Sequence, residues 1–194
     1  MRRLLSAASG EFKRAGYSGA TTAAIARAAD VTEAQLFRYF ASKAELFKAA
    51  VFEPLNKGFA EFNATQLARD SEDPRDRDVK IRDYIEELQA FIADNADLLM
   101  TLVVAEASAP ESVKGLGDVN ALGEYFQIGA AVMQRRLGDE AKVPPELMVR
   151  VSFVAVLANV LFRHWIFPPG IANDREFSTA LTDFVNEGVS INAG

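Results

Sequence analysis

Between Thr21 and Phe47 the chain reads TTAAIARAADVTEAQLFRYFASKAELF, and this stretch narrows the possible folds more than any other. Thr21 or Thr22 can cap a first short helix, because a threonine hydroxyl accepts from the free N–H groups of a first turn. Ala24, Ile25 and Ala28 recur at helical spacing and give it a narrow apolar stripe. Ala29-Asp30-Val31 breaks it: Asp tolerates the left-handed conformation that a tight turn without glycine requires. Val31 can plug the gap between helices, and Thr32 caps a second helix. On that helix Leu36 and Phe40 lie four apart and face inward, leaving Glu33, Ala34, Phe37 and Arg38 on other faces. Small residues near its start allow such a rod to enter a major groove and bring side chains to base edges.

The surroundings extend the pattern. An amphipathic helix (LLSAASGEF) and the pair Gly16-Tyr17 come first. A Thr pair then opens the next helix, Ile25-Ala26 forms a core step, and Phe37, Tyr39 and Phe40 close the second helix of the unit. Ser42-Lys43 starts a fourth helix with Leu46 and Phe47 on its apolar side. In this order and spacing, residues from about Leu4 to Val51 resemble the DNA-binding domain of TetR-type transcriptional regulators. The resemblance implies phosphate contacts for Thr22, Tyr39 and Lys43, and a groove face made by Thr32, Glu33, Ala34 and Gln35. Phe37 and Arg38 complete the expected DNA-binding set. The chain departs from the family pattern at Asp30, where glycine is favoured, at Phe37, often Tyr, and at Tyr39, often His.

Charge is segregated to match. The whole chain carries −6, yet residues 1–50 hold eight basic and four acidic side chains, leaving −10 for the remainder. A head of +4 attracts phosphate while an acidic body is repelled by it, which confines contact with DNA to one end. There is no cysteine, hence no disulfide or thiolate site. The opening MRRLLSAASG imitates a signal peptide, but Glu11, Lys13 and Arg14 interrupt it, so it reads as a first helix of a cytoplasmic protein. Asn63-Ala64-Thr65 matches a glycosylation sequon that has no meaning without export.

After Lys43 the helical period continues through Leu46, Phe47, Val51, Leu55, Phe59 and Phe62, with a kink expected at Pro54. Ala68 to Asp78, charged and proline-containing, reads as a loop, without the glycine and final Glu of a calcium loop. Ile81, Ile85, Leu88 and Ile92 stripe a fifth helix, and Asn95 to Ala107 forms a sixth. The segment PESVKGLGDVN only approaches a dinucleotide glycine motif, lacks a preceding strand, and reads as a loop. A seventh helix runs through Tyr125, Phe126, Ile128, Val132, Met133 and Leu137 to Gly138.

Glu146 to Phe167 is apolar on nearly every side, so as a helix it must be covered all round. Its uncharged part, Val151 to Phe162, is twelve residues, against about twenty for a membrane span. Burial between its own body and a second subunit is the better reading. Gly170 to Asn173 turns the chain into a last helix striped by Phe177, Leu181, Phe184 and Val185. The resembled family pairs its last two long helices with their copies in a four-helix bundle. Leu157, Leu161, Trp165, Phe177, Leu181 and Phe184 are accordingly the expected dimer interface, with no membrane association.

The expected fold is therefore all-α, with about nine helices: a three-helix DNA-binding head with the helix-turn-helix (1–47) and a larger ligand-binding and dimerisation body (48–194). Fourteen Phe, four Met and four Tyr supply aromatic candidates for an effector site, namely Phe62, Tyr84, Phe91, Met100, Tyr125, Phe126, Met133 and Phe153. For any one of them ordinary core packing is the more usual role, because apolar residues at helical spacing are normally core. Asn159 joins them because an amide in an apolar helix needs a partner. His164, the only histidine, can form neither a metal site nor a catalytic pair alone, and suits a capping or interface role. The function expected is a homodimeric regulator of transcription, a repressor, on a near-palindromic duplex operator, released by a small apolar or amphipathic effector, with no cofactor or metal. The alternatives are a helix-turn-helix module for protein contacts and a helical enzyme. No Ser/His/Asp set, phosphate loop or HExxH supports the latter.

Overall fold

The computed structural model describes residues 1–70, 77–113, 119–137 and 143–190, and among these the chain is all-α. The helices are α1 (Arg2–Gly19), α2 (Thr22–Ala28), α3 (Glu33–Phe37), α4 (Lys43–Phe47), a π turn (Lys48–Phe52), α5 (Glu53–Asp70), α6 (Arg77–Asp94), α7 (Ala96–Ser108), α8 (Asn120–Leu137), α9 (Pro145–Leu161), α10 (Arg163–Ile166) and α11 (Asp174–Ser190). Contacts divide them into two compact units, Met1–Glu61 with Asn95–Gly123, and Phe62–Asp94 with Glu124–Gly194.

In the first unit, α1 packs along α7 and against α2, α4 and the π turn. Its centre is aromatic: Phe47 meets Phe12, Tyr17 and Phe52 edge-on at 4.9, 5.1 and 5.5 Å between ring centroids. Edge-to-face contact sets the positive rim of one ring on the negative face of another, so these pairs add to the burial itself. Gly16, at φ 67°, interrupts the helical geometry of α1 and lets the last turn swing so that Tyr17 is buried. Only glycine takes that conformation without a steric penalty.

The kink expected at Pro54 takes a specific form. Proline has no N–H for the carbonyl one turn back, and its ring crowds that carbonyl. The ladder widens just before it, with Glu53 N–H reaching Lys48 O across five residues. Such π turns insert one residue without ending the helix.

In the second unit α6 packs against α9 and α11, and α9 against α10 and α11. Ile85, Leu88 and Ile92 of the expected stripe are buried, as are Met148, Val149, Phe153 and Val156 along one side of α9. Gly129 of α8 allows a close approach, since a Cβ there would stand 2.9 Å from Val149 Cγ1.

Several boundaries move from expectation. The segment Ala68 to Asp78 is not wholly loop, because α5 continues to Asp70 and α6 begins at Arg77; the middle, 71–76, lies outside the described residues, as do 114–118 and Gly138. Helix α8 starts earlier than expected, at Asn120, where the Asn56 side chain accepts from Ala121 N–H at 2.8 Å and satisfies a first-turn donor. The apolar run from Glu146 to Phe167 is not one helix. It breaks at Phe162 (φ −109°, ψ 11°) before the short α10, where Arg163 pairs with Asp174 at 2.6 Å and lies 4.2 Å over the Phe177 ring. Among the described residues no single helix is long and apolar enough to cross a membrane.

Candidate nucleic-acid interface

Three local caps build the head. Thr21, not Thr22, caps α2 by accepting from Ala24 N–H at 3.1 Å. Thr32 caps α3 in a reciprocal box: its hydroxyl accepts from Gln35 N–H at 3.1 Å, and Gln35 Oε1 accepts from Thr32 N–H at 2.8 Å. Ser42 caps α4 by accepting from Glu45 N–H at 3.1 Å. Each cap satisfies a backbone donor that a first turn would otherwise leave open, which matters most for helices of five to seven residues.

Asp30 carries the turn between α2 and α3 in the left-handed region, at φ 58°, as the only non-glycine residue so placed among those described. Arg3 reaches it at 3.5 Å in an exposed ion pair, a contact that water and salt screen to little worth. Val31 is half-buried in the angle between the helices. Leu36 and Phe40 are buried together, as their spacing requires.

The sequence-predicted site residues then fall into three groups. Thr32, Glu33, Ala34, Gln35, Phe37, Arg38 and Tyr39 are exposed on and just after α3, with Phe37 and Tyr39 showing 48% and 60% of their surfaces. Thr22 is half-buried, and its hydroxyl donates to Glu33 Oε1. Lys43 is half-buried as well; its ammonium donates to the carbonyls of Tyr17 (2.9 Å) and Ala20 (3.2 Å) and stands 4.7 Å over the Tyr17 ring. Two of the three residues expected at phosphates are therefore engaged within the protein. The contact partners Tyr17 and Ala20 carry no sequence signal, because a backbone carbonyl is present at every position.

In the second unit six of the nine aromatic and polar effector candidates form one cluster. Phe62 stands 5.1 Å from Phe91, 6.1 Å from Tyr84 and 6.3 Å from Tyr125. Tyr125 and Phe153 are 5.3 Å apart, and Phe126 lies 5.4 Å from Tyr125 and 5.3 Å from Phe153. At its centre the Tyr84 hydroxyl donates to the Tyr125 hydroxyl. Burial, which penalises a phenolate, pushes Tyr125 up to about 12 and Tyr84 well above its ordinary value. Met133 and Asn159 are half-buried elsewhere on α8 and α9, so water can reach the Asn159 amide. Met100 stands on α7, in the first unit.

Of the expected interface residues, Trp165 and Phe184 are exposed at 83% and 66%, and Leu181 is buried within its own unit. Leu157, Leu161 and Phe177 are half-buried, and His164 is exposed. The side of α9 away from its core exposes Leu147, Val151 and Val154, an apolar stripe at helical spacing.

Comparison with known proteins agrees with this geometry. Residues 4–50 match the bacterial regulatory proteins of the tetR family. No curated protein matches the chain. Among solved structures, the TetR-family regulator PfmR from Thermus thermophilus is 21% identical, with a TM-score of 0.68 over 96% of this chain and 98% of that one. The transcriptional regulator FadR from Bacillus subtilis, solved with stearoyl-CoA, is 16% identical with a TM-score of 0.70 over 96% and 98%. A TetR-like regulator from a Rhodococcus species is 18% identical with a TM-score of 0.63 over 97% and 94%. Residues 4–50 thus carry the helix-turn-helix head of the tetR family, and the chain as a whole has the fold of its transcriptional regulators.

Proposed function

We propose that the protein is a homodimeric regulator of transcription that binds a near-palindromic operator and is released from it by a small apolar or amphipathic effector. The observation that carries the DNA-binding part is the exposed face of α3, from Thr32 to Tyr39, on a head that is net basic within an acidic chain. A two-fold pair of such heads reads half-sites about 34–36 Å apart. The exposed stripe of Leu147, Val151 and Val154 on α9, together with the exposed Trp165 of α10 and Phe184 of α11, supports pairing through the last long helices, since uncovered apolar area of this kind marks an interface.

The effector reading is supported by the composition of the aromatic cluster around the Tyr84–Tyr125 hydroxyl pair, since apolar rings with a few polar groups are what small-molecule sites are built from. The Bacillus subtilis neighbour was solved with stearoyl-CoA, and a long apolar chain is the ligand chemistry that an aromatic cluster of this kind favours here. Such a ligand acts only through its preference for the form that cannot hold DNA, and operator DNA weakens it by the same factor. A mobility shift on duplexes selected from a random library tests the reading. Binding that falls steeply with salt, as phosphate neutralisation demands, is expected; no shift even in dilute buffer overturns it.

A further inference from the structure

On the exposed face of α3 the hydrogen-bonding groups are unequally free. Thr32 has committed its hydroxyl and backbone N–H to Gln35. The Gln35 amide oxygen is held by that same N–H, so only its Nε2 donors point elsewhere. Ala34 and Phe37 are apolar, and Arg38 has donors alone. Glu33 is then the side chain of α3 with acceptor capacity to spare: Oε1 accepts from the Thr22 hydroxyl, and Oε2 remains open in an exposed residue.

A carboxylate on a surface meant for polyphosphate is electrostatically unfavourable unless it is repaid by a donor that the duplex itself supplies. In the major groove the donors are the amino groups of cytosine (N4) and adenine (N6). Adenine sets its N7 acceptor beside N6, which repels a carboxylate oxygen. Cytosine has only C5–H in the corresponding place. Guanine and thymine present acceptors, and exclude it. From Thr22 the carboxylate gains a fixed direction: one oxygen is tethered to α2, and the other is aimed rather than free to sweep.

Resting on the DNA-binding reading above, we infer that Glu33 specifies a cytosine in each half-site through its N4 amino group, and that Thr22 is a positioning residue that holds the Glu33 carboxylate rather than a phosphate contact. The test is selection from a randomised duplex library by the full-length protein and four variants, each checked for helix content by circular dichroism. The wild type should recover one cytosine per half-site that Glu33→Ala no longer requires, with discrimination there falling about tenfold and other positions unchanged. Glu33→Gln, which offers a donor and an acceptor together, should move that position toward adenine. Thr22→Val should lower the same discrimination while keeping overall affinity, and Thr22→Ser should restore it. Recovery of one consensus by wild type and Glu33→Ala, with affinity altered uniformly, would reduce Glu33 to a repelling charge and overturn the inference while leaving DNA binding intact. Failure of the wild type to bind any duplex would remove both.

Discussion

Lys43 closes the end of α1 through Tyr17: its ammonium bonds the Tyr17 carbonyl at 2.9 Å and stands over the same residue's ring at 4.7 Å. The Ala20 carbonyl takes a second bond at 3.2 Å. A cation at the carbonyl end of a helix satisfies acceptors that have no partner in the helix, and it opposes the negative end of the dipole. Lys43→Met should cost about 1–2 kcal/mol in urea unfolding, the usual range for hydrogen bonds to a charged donor together with a half-exposed cation–π contact. Loss of DNA affinity in this variant would then follow partly from a loosened head, and an unchanged unfolding midpoint would show that the clamp contributes nothing.

Asp30 holds φ 58° at the turn of the helix-turn-helix. A side chain in this region crowds its own backbone, and glycine does not. Asp30→Gly should stabilise the head by up to about 1 kcal/mol, after allowing for the greater freedom of glycine in the unfolded chain. Asp30→Val, β-branched, should destabilise it. Thermal melting of the two variants checks the opposite signs.

Val154 exposes 57% of its surface on α9, so a charge there leaves the core of its own unit untouched. Val154→Arg should convert a dimer to monomers in light scattering with unchanged helical circular dichroism. Persistent dimers would move the interface away from this stripe.

Gly129 and Val149 meet where α8 and α9 approach, with room for no additional carbon: 2.9 Å to Val149 Cγ1. Gly129→Ala should destabilise by about 1–3 kcal/mol, the usual cost of overpacking. Adding Val149→Ala should recover part of the loss, and a double-mutant cycle measures how much is pairwise.

Tyr84 and Tyr125 keep their protons in the folded state beyond the ordinary range, Tyr125 to about 12, because burial disfavours the phenolate. Unfolded tyrosines ionise near about 10. Both raised values favour the folded, protonated form, so their contribution is complete below about pH 10 and fades as pH climbs through the folded value of about 12 for Tyr125. Tyrosinate absorbance should show these two groups ionising late, together with loss of helix. Tyr84→Phe, which removes the donor of the pair, should change the affinity for an amphipathic ligand more than that for a purely apolar one.

The head was legible because its determinants are close in sequence. Thr21 caps Ala24, Thr32 exchanges bonds with Gln35, and Ser42 caps Glu45, all within three residues, so residue order announces a helix start at each, although it left Thr21 and Thr22 both open for α2 and did not single out the return bond from Gln35. Leu36 and Phe40 turn inward by the geometry of one helical turn. The proline effect at Pro54 was also local, although a π turn rather than a simple kink absorbs it.

What the amino-acid order determined by itself, then, was the helical class, the caps, the turn and the sign of charge at each end. Tertiary structure alone decided that Thr22 serves Glu33 eleven residues away. It alone sent Lys43 to carbonyls more than twenty residues back and gathered Phe62, Phe91, Tyr125 and Phe153 from four helices into one cluster. The physical reason is the same for each. Helix and cap energies depend on neighbours along the chain, whereas the partner of a hydroxyl, an ammonium or a ring is fixed by which distant surfaces exclude water together.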